Sequence, residues 1–288
     1  MIDPYLLDLP AVISFSGGRT SGFMLRKILD AHDGQPDNLK VCFQNTGLEH
    51  AATYEFVREV GERWCDVTWL EYCVDDEGEH DYKIVDYESA SRKGEPMTAI
   101  IMKRGHLPNP VSRICTVNLK MRTMDRHIRT LPEFAESYTN AVGLRADEPR
   151  RVAKLQADNS REITECPVAK AGHAIQDVLR FWEEQPFDLG LPINKAGASM
   201  AGNCVGCMLK AKPKIEILMH EMPEYFEYWI ETEKLGAKIA KTKAGAFFRS
   251  DRPSYASLLE TVQRQGILPF GGVVPEGEDD TVPCMCHD

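Results

Sequence analysis

The stretch Val12-Ile13-Ser14-Phe15-Ser16-Gly17-Gly18-Arg19-Thr20-Ser21-Gly22 decides how the rest of the chain is read. The apolar run from Ala11 to Phe15 predicts a short buried strand. Two adjacent glycines follow, with hydroxyls on both sides. Phe23-Met24-Leu25 and Ile28-Leu29 then predict a helix ending near Asp30. Glycines let the backbone approach an anion closely, and a helix N-terminus offers unpaired N–H groups with partial positive charge. Ser14, at the strand end, Ser16, Thr20 and Ser21 supply hydroxyls, and Arg19 a cation. With Gly17 and Gly18 they form the candidate anion-binding set. An ordinary strand–turn–helix connection has the same outline, and the GxxxxGK[ST] spacing of a Walker A loop is absent.

Working outward, Leu39 to Gln44 predicts a second strand, followed by the polar loop Asn45 to His50. Ala51 to Trp64 predicts a helix, with Tyr54, Val57 and Val60 near helical spacing. Val67 to Tyr72 is a third strand, and Tyr138 to Gly143 and Ile163 to Val168 are a fourth and fifth. The opening β-α-β-α-β alternation predicts an α/β protein with a doubly wound, mostly parallel five-stranded sheet. Ligands are then expected at the C-terminal ends of the strands, where loops 16–22 and 45–50 both fall. Residues 75–96, acidic and without a clear period, read as a mobile connection or lid. Met97 to Lys103 reads as a short helix, and Ala174 to Glu184 as an amphipathic one. Further helices are expected at Ile215–Met219, Tyr225–Leu235 and Ser254–Gln265. The expected organisation is an α/β domain over 1–200 and a helical, cysteine-rich extension over 201–288, packed on the first.

The 288 residues are 43% hydrophobic and 27% charged, values of a soluble globular protein. No apolar run approaches the roughly 20 residues that span a bilayer. The N-terminus lacks the basic and apolar regions of a signal peptide, so a cytoplasmic location without membrane attachment is expected, and a homo-oligomer is left open. The net charge of -10 argues against a protein coated in nucleic acid. From Lys103 to Arg129, however, the balance reverses. Lys103, Arg104, Arg113, Lys120, Arg122, Arg126 and Arg129 face one acid, Asp125. That stretch reads either as a solvated face or as a site for an anionic acceptor or a nucleic-acid backbone.

Nine cysteines without a secretory signal point to metal or redox chemistry rather than to a disulfide framework. Cys42, Cys65 and Cys73 sit in apolar sequence and read as core residues. Cys204-Val205-Gly206-Cys207 has the spacing that lets two thiolates share one metal centre. A thioredoxin-like dithiol is the rival reading, though this motif does not open a helix after an early strand. The chain ends Cys284-Met285-Cys286-His287-Asp288, where thiols have little packing use.

Several blocks resemble one superfamily. Ser16-Gly17-Gly18-Arg19-Thr20-Ser21 resembles the pyrophosphatase loop, SGGxDS, of the PP-loop ATP pyrophosphatases. Arg19 fills its variable position, and Thr20 replaces an Asp associated with metal and phosphate handling. Thr46-Gly47-Leu48-Glu49, with Thr53, Tyr54, Phe56 and Val57, resembles the TGxE…TyeFv block of phosphoadenylyl-sulfate (PAPS) reductases. Gly143-Leu144-Arg145-Ala146-Asp147-Glu148-Pro149 resembles their GxRxxES block with Pro149 for Ser, and Phe187 to Pro192 continues the match. Arg113 to Lys120 stands where cluster-binding members carry a Cys-Cys…Lys block, with Cys115 kept and Ile114 in place of the other cysteine. The resemblance spans roughly residues 11–210.

It implies a PP-loop fold that binds ATP or an adenylyl sulfate through Ser14, Ser16–Ser21, Thr46, Gly47, Glu49, Gly143 and Arg145, with Mg²⁺ as a companion of the phosphates. It also implies a [4Fe–4S] cluster on Cys204, Cys207, Cys115 and one of the tail thiols Cys284 and Cys286. Cys166 is a poorer fourth ligand, a three-cysteine cluster with one open iron is a variant, and zinc is the competing metal. Arg113, Lys120 and Cys286 are the implied catalytic residues. Two reactions follow: ATP-dependent adenylylation of an acceptor with sulfur displacing AMP, or thiolate attack on an adenylyl sulfate with release of sulfite. A non-enzymatic nucleotide-binding subunit is the third reading, kept open by Thr20.

Overall fold

The computed structural model describes residues 3–155 and 161–265. A six-stranded sheet runs through it in the order β4-β3-β2-β1-β5-β6. Its strands are β1 (Ala11–Ser14), β2 (Leu39–Asn45), β3 (Val67–Val74), β4 (His80–Val85), β5 (Tyr138–Val142) and β6 (Glu162–Glu165). Every pairing is parallel except β3 with β4. The helices α1 (Arg19–Ala31) and α2 (Ala51–Arg63) connect the first three strands. They are followed by α3 (Glu95–Arg104), a π-helix (Thr116–Met121) and α4 (Arg122–Arg129). Short α5 (Pro149–Val152) and α6 (Pro167–Lys170) flank β6. Then come α7 (Ile175–Glu183), α8 (Lys212–Glu221), α9 (Glu227–Ile239) and α10 (Tyr255–Gln265).

Strand alternation explains the two-sided burial. Side chains in a strand point to opposite faces with period two. Ile13, Val41, Phe43 and Trp69 therefore join Phe23, Leu25 and Ile28 of α1 in one core. Val12, Cys42 and Leu70 point the other way, onto Met124 and Ile128 of α4. Strands covered on both faces read as near-continuous apolar runs, which is why they were legible.

The sixth strand, β4, falls inside the segment expected to be a mobile lid, and two buried needs hold it there. Glu71 on β3 is fully buried, and a buried carboxylate must be paired and hydrogen-bonded. Asn45 Nδ2 donates to it at 2.6 Å, Ser91 Oγ at 2.8 Å, and Lys83 of β4 lies 2.9 Å away. The Gly94 N–H also bonds the Gly47 carbonyl at 3.0 Å. Local periodicity fails on β4 because it is an edge strand, half-exposed and carrying charge.

The 201–265 region shares the main core. Val205, Met208, Ile215, Leu218 and Trp229 belong to the same cluster as Ile13 and Phe43. Backbone joins them as well: Val205 N–H donates to the Leu48 carbonyl at 3.0 Å, and Glu49 and Cys204 form an antiparallel bridge.

Candidate functional site

The chain leaves β1 on one side to build β2 and β3, and later returns to build β5 on the other side. In open α/β sheets, ligands bind at the C-terminal ends of the strands where the order reverses in this way. The glycine loop and the loop after β5 meet at that point. A Cβ on Gly143 would lie 3.1 Å from Ser21 Cα, so glycine lets the first turn of α1 abut the β5 loop. Gly17 has φ +74°, and a Cβ there would lie 2.7 Å from Thr53 Cγ2 and 2.9 Å from Val57 Cγ2. Only glycine combines that backbone with that contact to α2.

The first turn of α1 carries no acidic residue. Ser16 Oγ and Ser21 Oγ are 2.9 Å apart, and Ser21 Oγ donates to the Gly18 carbonyl at 3.0 Å. Arg145 Nη1 donates to Thr20 Oγ1 at 3.2 Å, while Asp147 and Glu148 flank its guanidinium. Ser14, beneath the loop, donates to Asn140 Oδ1 at 2.8 Å, and Asn140 in turn donates to the buried Glu162. The cation expected at Arg19 is turned elsewhere. Its Nε donates to Asp188 Oδ1 at 2.7 Å, and its Nη atoms reach Asp188 and the Leu191 carbonyl. Arg19 clamps the segment after α7, and the paired guanidinium holds the Asp188 carboxyl below its ordinary range against the opposing effect of burial.

The second loop is self-contained. Glu49 is buried and accepts from Thr46 N–H at 3.2 Å, Thr46 Oγ1 at 2.6 Å, Leu48 N–H and the Tyr54 hydroxyl. It organises the loop rather than offering an open carboxylate. Gly47, at φ +76°, would bring a Cβ to 2.9 Å from Gly94 N.

Thr46 joins this loop to the thiols, for its Oγ1 is 3.2 Å from Cys204 Sγ. Cys115, Cys204 and Cys207 line one cavity of about 20 Å³, with Thr116, Lys120, Met97 and Trp229 around it. The π-helix places Cys115, Thr116 and Lys120 there together, because i→i+5 bonding stacks residues four and five apart. Arg113 sits half-buried at the entry to that helix. Among the described residues, no three His, Cys, Asp or Glu side chains stand close enough to hold a metal ion. Cys284 and Cys286 lie outside the described residues. Cys166 is remote from the thiols: it packs with Val142 and Leu144, and burial lifts its thiol to about 11. Cys42 is a core residue as expected. Cys73, by contrast, is half-buried at the end of β3, opposite Asp81.

Sequence reasoning missed what holds the CxxC turn. Lys210 Nζ donates to the carbonyls of Gly202 and Cys204 at 2.6 and 3.0 Å, and the Tyr255 hydroxyl to that of Gly206 at 2.6 Å. The Arg252 guanidinium takes the carbonyls of Met208 and Lys210. Gly206 lies against Trp229, where a Cβ would come within 2.3 Å of Nε1. The signal for Lys210 was its place three residues past the motif. Arg252 and Tyr255 gave none, being more than 40 residues away.

The basic stretch 103–129 does not form one surface. Lys120 faces the thiols, Arg129 pairs with Asp125, and Lys103 and Arg104 line a separate groove. No helix among the described residues is long and apolar enough to cross a membrane.

No protein-family model matches the chain. The chain is 30% identical over 211 residues to the uncharacterized nin region protein ORF290 of Escherichia phage lambda, covering 71% of this chain and 67% of that protein. It is 24% identical over 304 aligned positions to an uncharacterized 37.8 kDa protein in the gpa 5' region of Escherichia phage 186, covering 90% and 86%.

Proposed function

The chain belongs to the family of the phage lambda nin region protein ORF290, and for it we propose a doubly wound PP-loop fold that binds an adenine nucleotide in the crevice between residues 16–21 and 143–148. One observation carries the reading: the glycine loop at the C-terminal end of β1 meets Arg145 at Thr20, at the point where the strand order reverses. A phosphate there receives the N–H groups of the α1 start and a guanidinium held by two carboxylates. The loop dipoles would stabilise charge developing on the phosphates. Arg19 is excluded from that role by its pairing with Asp188.

The reaction proposed is ATP-dependent sulfur transfer to an activated anionic acceptor. The thiol cavity carries the donor types of a thiolate-bound centre, three cysteines and no carboxylate, though the three do not stand close enough to share a metal as they are placed. Cys115, Cys204 and Cys207 would hold an iron–sulfur cluster there, with zinc as the alternative, and a cluster when bound supplies iron that takes up sulfur. The cavity itself has room for about one water, so loading a cluster requires half-exposed Cys115 and Cys207 to open outward. Lys120 at the cavity wall would balance thiolate charge. The competing reaction is reduction of a bound adenylyl sulfate, and Thr20 in place of an acid keeps open a nucleotide-binding subunit that performs neither.

Calorimetric titration with ATP and AMP tests the nucleotide site, with the Gly18→Val variant as control. Retained affinity in a folded Gly18→Val protein overturns the site. Pyrophosphate release from ATP, set beside sulfite release from adenylyl sulfate, separates the two reactions. Iron and acid-labile sulfide in anaerobically purified protein support the cluster, and zinc without sulfide rejects it.

A further inference from the structure

We propose that the groove between residues 102–112 and 241–251 binds the backbone of a single-stranded nucleic acid. It encloses about 850 Å³ and is built by the C-terminal end of α3 with its following loop on one side, and by the segment after α9 on the other. The Leu107 N–H joins the two walls by donating to the Gly245 carbonyl at 2.8 Å. A Cβ on Gly245 would come within 2.9 Å of His106 Cβ, so the walls are in close contact at the groove floor.

Its charge runs against that of the chain. Lys103, Arg104, Lys241 and Arg249 line it, with Asp251 as the acidic member of the wall, in a protein of net charge -10. Arg249 pairs with Asp251, and Lys103 with Glu79 at 3.3 Å. Arg104 donates to Asn118 at 3.2 Å, and Lys241 is exposed. A concave surface with an excess of one sign focuses its field on a ligand of the other. Half of this set, Lys241 and Arg249, comes from more than 130 residues along the chain, so the groove is a product of the fold.

Two features choose the ligand. Met102 and Val111, 56% and 96% exposed, sit beside the cations. Single-strand binding sets cations that track phosphates beside a platform for the base face, most often an aromatic ring; in this groove the His106 ring with Met102 and Val111 would supply that platform, whereas an acidic peptide needs the cations alone. The volume is that of a small-ligand pocket, enough for a short length of strand. The groove also adjoins the thiols: Ser112 in its wall is three residues from Cys115, a span of at most about 10 Å. The site is independent of the nucleotide reading, because it shares no residue with the glycine loop.

Fluorescence anisotropy of labelled single-stranded DNA and RNA oligonucleotides tests it, on the full chain, at about 50 and about 200 mM salt. Wild type should bind and weaken with salt. The Lys241→Glu/Arg249→Glu variant should lose at least tenfold in affinity and about 1.4 in salt slope, at ~0.7 per lost phosphate contact on a single strand. Val111→Glu, on a residue 96% exposed, should weaken binding as well, and Gly18→Val should not. No binding by wild type, equal binding by both groove variants, tighter binding of a duplex, or equal competition by polyglutamate would each overturn the proposal.

Discussion

Arg145 Nη1 donates to Thr20 Oγ1 at 3.2 Å, so the first turn of the helix that follows the glycine loop and the loop that follows β5 share one hydrogen bond. Replacing Arg145 by Ala should leave the fold intact and weaken ATP or AMP binding at least tenfold, the scale of a charge-assisted contact. Thr20→Asp would put a carboxylate against the guanidinium. If Thr20 limits pyrophosphate chemistry, Asp at this position should raise pyrophosphate release with Mg²⁺ present. Titration calorimetry and a pyrophosphate assay read the two outcomes.

The two loop glycines should separate. Gly17→Ala puts a side chain at φ +74° and 2.7 Å from Thr53 Cγ2, and should cost about 2 kcal/mol or more of stability. Gly18 has φ -99° and ψ 163°, extended backbone open to any residue. Gly18→Ala should therefore stay within about 1 kcal/mol of wild type. Denaturant unfolding of both variants checks the difference.

The Arg19–Asp188 pair should be a local clamp. Asp188→Asn removes the charged partner of a guanidinium that also holds the Leu191 carbonyl. Amide hydrogen exchange should quicken over residues 188–199 with the sheet strands unchanged. The loss expected is about 1–3 kcal/mol, that of a hydrogen bond to a charged group.

Gly206→Ala should disturb the thiol site from behind. The added methyl would meet the Trp229 indole at 2.3 Å, among backbone that cannot give way because Tyr255 and Val205 hold it. Overpacking of this kind costs about 1–3 kcal/mol. Altered Trp fluorescence and changed thiol reactivity of Cys204 and Cys207 are the readouts.

Stability should fall with acidification from near neutral pH. Burial lowers His50, His80 and His127 below the ordinary value of 6.5, aided by Arg104, Arg126 and Lys103 around His80 and by Lys40 near His127, while Glu224 opposes the shift at His50. His50 Nδ1 accepts the Ala52 N–H at the start of α2, which the protonated ring cannot do. With folded values below unfolded ones, the unfolded chain takes up more protons as pH drops below 6.5. The stabilisation is full above that value and lost as pH falls through the folded values. Urea midpoints at pH 7.5 and 5.5 should show the drop, and His50→Asn, which keeps a capping acceptor, should reduce it.

Much of the fold was legible in the chain. Buried parallel strands carry apolar residues on both faces, so Ala11–Ser14, Leu39–Asn45 and Tyr138–Val142 stood out despite the polar residues within the last two. In the glycine loop, Gly17 was legible because a positive φ and a close approach both demand glycine there. Strand β4 was not, since its reason for being lies in Glu71 and Asn45 on other strands, and an edge strand carries little pattern of its own. Arg19 was misread for a similar reason: its partner Asp188 is 169 residues away.

The sequence by itself determined the α/β alternation, the position of the glycine loop at a strand end and the CxxC spacing, because each depends on neighbours within a few residues. The tertiary structure decided which charges share a surface. It divided the cations of 103–129 among the thiol cavity, the Asp125 pair and the groove, and brought Lys241 and Arg249 to Lys103 and Arg104. Charge acts through space over about a Debye length. Its grouping is therefore set by how the strands cross and the helices pack, which composition along the chain does not encode.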